Sequence, residues 1–218
     1  MIRVLVADDQ ALVRAGFRSI LEKQPDIDVV GEAGDGVEAV YMARTLRPDL
    51  VLMDIRMPRQ DGLSATEELM ASEAPPRIVV LTTFDADEYV YAALRVGATG
   101  FLLKDISPED LVAAVRNAMS GDAMLSPRIT RRLIESFVGS PPPAGGVPEA
   151  LRGLTGRELD VLRELATGAT NAEIGVRLCL AETTVKTHLA HVFAKLQVRD
   201  RVQAVVLAYE SGLVRPSA

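Results

Sequence analysis

The sequence predicts an α/β fold followed by an all-helical unit: a five-stranded parallel doubly wound sheet, a linker, and four helices that include a helix-turn-helix pair. Three observations predict it. Over the first 120 residues, short apolar runs alternate five times with stretches whose apolar residues recur at three-and-four spacing, the pattern of βα units with helices on both faces of a parallel sheet. A stretch rich in Pro, Gly and Ser, "SPPPAGGVPEA" at 140–150, then interrupts any packed element. Beyond it only helical periodicity remains.

The strands are "IRVLVA" (2–7), "DVVGEA" (28–33), "LVLMD" (50–54), "RIVVLT" (77–82) and "TGFLL" (99–103). The helical stretches between and after them are 11–24, 36–46, 63–72, 87–97 and 107–121. The last of these has a strong start, because Ser107 can cap, Pro108 suits the first helical position and Asp110 follows three residues after the cap. "SPRITRRLIESFVG" (126–139) predicts one further helix inside the linker. The later helices are 154–168, 170–180, 183–198 and 200–212, and two of them open on capping boxes, Thr155 with Glu158 and Thr170 with Glu173. The expected division is 1–122, a linker over 123–149, and 150–218.

A chain of 218 residues, 48% hydrophobic and 25% charged, has length for one or two ordinary globular domains. Its single cysteine, Cys179, excludes an internal disulfide, and no Cys/His cluster offers a zinc framework. The opening "MIRVLVADDQ" is too soon interrupted by acids to be a signal peptide, and no apolar run approaches the ~18 residues of a membrane span, so a cytoplasmic setting is expected. The net charge of −6 hides an asymmetry: residues 1–150 carry 15 Lys+Arg against 23 Asp+Glu, a net −8, whereas 151–218 carry 9 against 7, a net +2. Different halves then have different partners.

Ligand sites of parallel α/β sheets lie at the carboxyl ends of strands. Asp8 and Asp9 close the first strand, Asp54 the third and Thr82 the fourth, and Lys104 follows the fifth. An acid at a strand tip is often simple turn chemistry, but several converging ones need a counter-charge, since two carboxylates about 4 Å apart repel by roughly 4 kcal/mol at an effective dielectric near 20. Mg²⁺ suits few carboxylates, retained waters and an incoming phosphate. Lys104 would then meet a phosphoryl oxygen, the Thr82 hydroxyl would hydrogen-bond it, and Asp54 would be the nucleophile.

The motifs "VLVADD", "DLVLMDIRMPRQDG", "VVLTTFDADEYV" and "GATGFLLKDISPEDL", in this order over about residues 1–120, resemble the receiver domain of bacterial two-component response regulators, a flavodoxin-like fold. The resemblance implies that Asp54 is the phosphoacceptor, charged by a partner sensor histidine kinase. It implies Asp9 as a direct Mg²⁺ ligand, Asp8 as a water-mediated one, the Arg56 backbone carbonyl as another, and Thr82, Phe101 and Lys104 as switch residues. Two departures stand out: Phe101 replaces the tyrosine of some relatives, and Asp105 stands after Lys104 where many receivers have proline, so no cis peptide is assumed there. In the resembling pattern Arg56 and Phe84 flank the site, and they are expected to shield the phosphorylated form from water. An aspartate-nucleophile phosphatase also places Asp at a strand end, but there a second acid two residues on would act as general acid, and this chain has Arg56.

In the second half, "TNAEIGVRLCLAETTVKTHLAHVFAKLQV" has the proportions of a helix-turn-helix whose longer helix enters the DNA major groove. Thr183–Val198 carries Lys186 and Lys195 and no acid, with Val185, Leu189, Val192, Phe193 and Leu196 as the apolar stripe. Residues 150–214 resemble the LuxR-type four-helix domain of regulators of the NarL/FixJ class. That resemblance implies base contacts from Lys186 and Thr187, phosphate contacts from Lys195 with Thr183 or Thr184, double-stranded promoter DNA as ligand, and a homodimer paired through Val202, Val205, Val206 and Tyr209. Ala190 departs from members with a long polar residue there. His188 and His191, without a carboxylate between them, do not make a metal site. The expected function is transcriptional regulation, not enzymatic turnover.

Overall fold

The computed structural model describes residues 1–82, 89–120 and 148–214. The chain divides into two compact units, Met1–Ala123 and Met124–Ala218. In the first, five strands, β1 (Ile2–Ala7), β2 (Ile27–Ala33), β3 (Leu50–Asp54), β4 (Arg77–Thr82) and β5 (Gly100–Leu103), form one parallel sheet in the order β2-β1-β3-β4-β5. Five helices intervene: α1 (Ala11–Leu21), α2 (Gly36–Leu46), α3 (Gly62–Met70), α4 (Tyr89–Arg95) and α5 (Pro108–Ser120). Among the described residues no peptide bond is cis.

Strand alternation sorts the core into two layers. Val4, Val6, Leu50, Leu52, Val79 and Leu81 point to one face, where Phe17 and Leu21 of α1 and Leu111, Val112 and Val115 of α5 cover them. On the other face α2 packs on β1 and β2, α3 on β3, and α4 on β5. Both faces are buried, which explains why β3 reads as a continuous apolar run; all five of its residues are buried. Emptying one such position, as in Leu52→Ala, removes about 2–5 kcal/mol.

Helix starts follow the expected signals. Ser107 Oγ accepts from Asp110 N at 3.1 Å, and the side chains of Asp35 and Asp61 cap α2 and α3 by accepting from Glu38 N and Ser64 N. Helix α1 is shorter than expected, since Gln24 N turns back to Leu21 O and hands the chain to β2. The linker helix expected at 126–139, like most of the expected linker and like Thr83 and Phe84, lies outside the described residues.

In the second unit a 3₁₀ turn (Glu149–Leu151) precedes α6 (Gly156–Ala166), α7 (Asn171–Leu178), α8 (Glu182–Leu196) and α9 (Arg201–Glu210). Both capping boxes form, at Thr155/Glu158 and Thr170/Glu173. Leu159, Val161, Leu162 and Leu165 of α6, Ile174 of α7 and Val185, Leu189 and Val192 of α8 are buried. No helix among the described residues is long and apolar enough to cross a membrane.

Candidate functional site

The strand order makes β1 and β3 neighbours although β2 intervenes in sequence, and the carboxyl ends of this pair meet at the reversal point. Ala7 is in register with Met53, so Asp8 and Asp54 leave the sheet side by side. Asp8, Asp9 and Asp54 each offer a carboxylate oxygen, and these atoms lie within 4.8 Å of one another. Asp8 is fully buried and Asp54 nearly so, whereas Asp9 is exposed. Lys104 reaches in from beyond β5, placed by its backbone N–H donating to Thr82 O at 2.8 Å. Its Nζ stands 2.7 Å from Asp8 Oδ2 and 2.9 Å from Asp54 Oδ2.

One ammonium does not satisfy this group. The contact with Asp8 Oδ2 is close enough for charge attraction but misaligned for a hydrogen bond, and among the described residues that buried oxygen has no other partner. Burial pushes the Asp54 carboxyl above the usual range, against the pull of Lys104, and the neighbouring charges of Asp8 and Asp9 push the same way. Burial lowers Lys104, but its contacts with Asp8 and Asp54 outweigh that and hold the ammonium above its ordinary value. Three oxygen ligands of one sign, one of them under-satisfied, form a donor set that fits a hard divalent cation such as Mg²⁺.

The other expected residues fall around this pocket. Asp54 is in register with Leu81, which places Thr82, nearly buried, just beyond it on the adjacent strand. Phe101 pairs with Val80 and is 5% exposed, so by alternation it shares a sheet face with Thr82 while lying deeper along the edge strand β5. Arg56 is exposed in the β3–α3 loop, its guanidinium 5.9 Å from the centre of the Tyr89 ring. Sequence reasoning missed Arg14, which donates to the Asp8 backbone carbonyl at 2.7 Å and pairs with Glu32 at 3.4 Å. Nothing in a helical arginine six residues past an acid signals such a contact. Gly62 was also overlooked: a Cβ there would lie 1.9 Å from Asp54 O, so the first turn of α3 approaches the acid's backbone as only glycine allows.

In the second unit the α7–α8 turn is tight. Cys179 is left-handed, Leu180 N donates to Gly175 O at 2.8 Å, and Arg157 reaches across from α6 to Leu178 O. On α8, Thr183, Lys186, Thr187 and His191 are exposed, and Thr184 and His188 half-buried. Phe193 and Leu196, expected in the buried stripe, are also half-buried. Lys186 pairs with Glu182 on its own helix at 3.2 Å. Ala181 precedes α8 and supplies no side-chain cap, whereas α6, α7 and α9 each have one.

Two of the expected roles fall on residues already paired or packed within this unit. Lys195, expected on phosphate, holds both oxygens of Glu158 at 2.9 and 2.7 Å, and this bond drops the Glu158 carboxyl to about 2, with help from the Thr155 backbone. Its charge is already committed to a nearly buried acid. Val202, Val205, Val206 and Tyr209, expected as a dimer surface, are 1, 4, 4 and 6% exposed, and the Tyr209 hydroxyl donates to Ala166 O at 3.0 Å. They are the unit's own core, because α9 packs on α6 and α8.

Known families agree with this geometry. Residues 4–116 match the response regulator receiver domain, and residues 152–208 match the bacterial regulatory proteins of the luxR family. The chain belongs to the two-component response regulators that join a receiver domain to a LuxR-type DNA-binding domain. Among similar proteins are the transcriptional regulatory protein LiaR of Bacillus subtilis (strain 168), 41% identical over 98% of this chain and 100% of that one, and the nitrate/nitrite response regulator protein NarL of Escherichia coli (strain K12), 37% identical over 96% of each. Among solved structures, the response regulator ChrA of a heme-sensing two-component system is 36% identical over 98% of each chain, with a TM-score of 0.53.

Proposed function

We propose that this protein is a phosphorylation-switched transcription factor: a sensor histidine kinase phosphorylates Asp54, and the phosphorylated chain pairs as a homodimer on promoter DNA in the cytoplasm. The carrying observation is the pocket in which the carboxylates of Asp8, Asp9 and Asp54 converge and Lys104 pairs with Asp8 and Asp54. Asp8, Asp9, Asp54 and the Arg56 carbonyl would hold Mg²⁺, which when bound neutralises the acids and the incoming phosphoryl group. Asp54 Oδ attacks phosphorus as the bond to the partner's imidazole nitrogen breaks; the imidazole keeps that electron pair and takes up a proton. Burial makes Asp54 a more basic, better nucleophile, and Lys104 keeps its ionised form available. Lys104 then moves its charge to a phosphoryl oxygen, and the Thr82 hydroxyl donates to another.

Drawing Thr82 inward opens space on the face it shares with Phe101, and the ring follows; this is the readout at the edge of the sheet. The working units are 1–122 and 150–218, joined by 123–149. In the second, Lys186 and Thr187 would meet base edges, and Thr183 and Thr184 phosphates, with the uncapped first turn of α8 adding backbone N–H donors. Lys195 is left out of this set.

The test is incubation with Mg²⁺ and a small acyl phosphate. The mass of one phosphoryl group, a larger oligomer and stronger retention of promoter DNA are expected, all absent in Asp54→Asn. An unmodified mass after exhaustive treatment overturns the reading.

A further inference from the structure

The loop that follows Asp54 is anchored at both ends, and one anchor lies on a helix with no assigned part in the site. At the near end, Gly62 N donates to Ile55 O at 2.8 Å and Ile55 N to Leu81 O at 3.3 Å. At the far end, Arg59 and Gln60 dock on the first residues of α2. The Arg59 guanidinium is ion-paired with Asp35 Oδ2, and Gly36 N donates to Gln60 O at 3.1 Å. Asp35 is 6% exposed and its other oxygen caps α2 through Glu38 N at 2.9 Å, while the Glu38 carboxylate accepts from Gly34 N at 2.7 Å, so this acid is held from both sides.

The approach is close enough to exclude a side chain at 36, where a Cβ would lie 2.3 Å from Gln60 O. Arg59 adopts φ 63°, a left-handed conformation that a residue with a side chain takes at an energetic cost. The left-handed backbone at this exposed residue coincides with an ion pair to a buried acid, so the surrounding contacts hold it there. Between the two anchors lie Arg56, Met57 and Pro58.

We infer that Asp35 and Arg59 form a latch that positions the Arg56 carbonyl, and thereby sets the affinity of the acid pocket for Mg²⁺. The inference rests on the metal set proposed above. Asp35 and Arg59 belong neither to the proposed metal set nor to the proposed phosphoryl contacts; they are positioning residues. Their effect belongs on metal affinity, because a ligand on an untethered loop must be ordered anew each time the ion binds.

Calorimetric titration of the full chain with MgCl₂ alone tests this. Asp35→Asn keeps a good helix cap but removes the charge, and Arg59→Gly removes the guanidinium while relieving the left-handed strain. Each is expected to weaken Mg²⁺ binding about tenfold, the low end of the effect of losing a supporting contact at a metal site. The double variant should be no weaker than either single one, since both break the same latch. Arg59→Lys should retain most of the affinity, and hydrogen exchange at the Gly36 amide should quicken in the metal-free Asp35→Asn and Arg59→Gly proteins. Unchanged Mg²⁺ affinity in both single variants, or losses that add fully in the double, overturns the latch. Failure of the unaltered chain to take up Mg²⁺ overturns the metal set and the latch together, whereas uptake with no phosphorylation of Asp54 leaves the latch standing and removes only the phosphoacceptor reading.

Discussion

Each unit of this chain holds a nearly buried acid against a lysine, and the two pairs are treated in opposite ways. In the receiver, Asp54 shares Lys104 with Asp8, and Asp9 adds further negative charge, so the carboxyl is pushed above its usual range and a buried oxygen of Asp8 goes without a hydrogen bond. In the DNA-binding unit, Glu158 has Lys195 to itself among the described residues, accepts from the Thr155 backbone as well, and falls to about 2. The ingredients are alike; the ratio of acids to cations differs. An under-compensated cluster of oxygens favours an added cation, whereas a fully satisfied one favours the contact already made.

Changes at these two pairs should break or sharpen the contrast. Asp54→Asn carries the largest expected effect, complete loss of acyl-phosphate labelling by intact-mass measurement, with the fold retained by circular dichroism. Lys104→Met should slow labelling about 100-fold, the scale of losing one charged donor to a transition state. The same variant leaves two buried acids uncompensated, so its melting temperature without metal should fall and Mg²⁺ should recover more of it than in the unaltered chain.

On the opposite side of the comparison, Glu158→Ala removes a cap and a charged hydrogen bond, and should cost about 2 kcal/mol in urea unfolding without changing the labelling rate. Its pH dependence has a definite sign. A carboxyl lowered from 4.5 to about 2 on folding adds stability that is present above 4.5 and lost as pH falls toward 2. The gap in unfolding midpoint between the unaltered chain and Glu158→Gln should therefore close over that window. The smallest effect concerns DNA: Lys186→Ala should relax selectivity at one base position by about 1 kcal/mol, the mark of a base-edge contact, while Lys195→Met should leave the salt slope of binding unchanged. A reduced slope in Lys195→Met would return that lysine to the phosphates.

The sheet, its helices and the acid pocket were legible in the sequence because each depends on local pattern. Apolar runs of five or six residues can only be buried strands here, and their carboxyl ends bring Asp8, Asp54, Thr82 and Lys104 together once the sheet is parallel. What stayed hidden depends on contacts across the chain or on which of several faces a helix buries. Lys195 reads as one more exposed base on a basic helix until Glu158, 37 residues earlier, appears beside it. The Val202–Tyr209 stripe is apolar on every reading, and only packing tells an internal face from a subunit interface. For the Asp35–Arg59 pair, the N-cap at Asp35 was readable in principle, but nothing in "MPRQDG" announces a left-handed arginine.

Gly62 carries one consequence for the history of this chain. With room for a hydrogen and nothing larger against the carbonyl of Asp54, that position admits no other residue without displacing the backbone. Surrounding polar side chains can vary, but a lineage that loses this glycine loses the geometry of the acid itself, and a saturation library should return it as an empty column beside tolerant ones at Arg56 and Pro58.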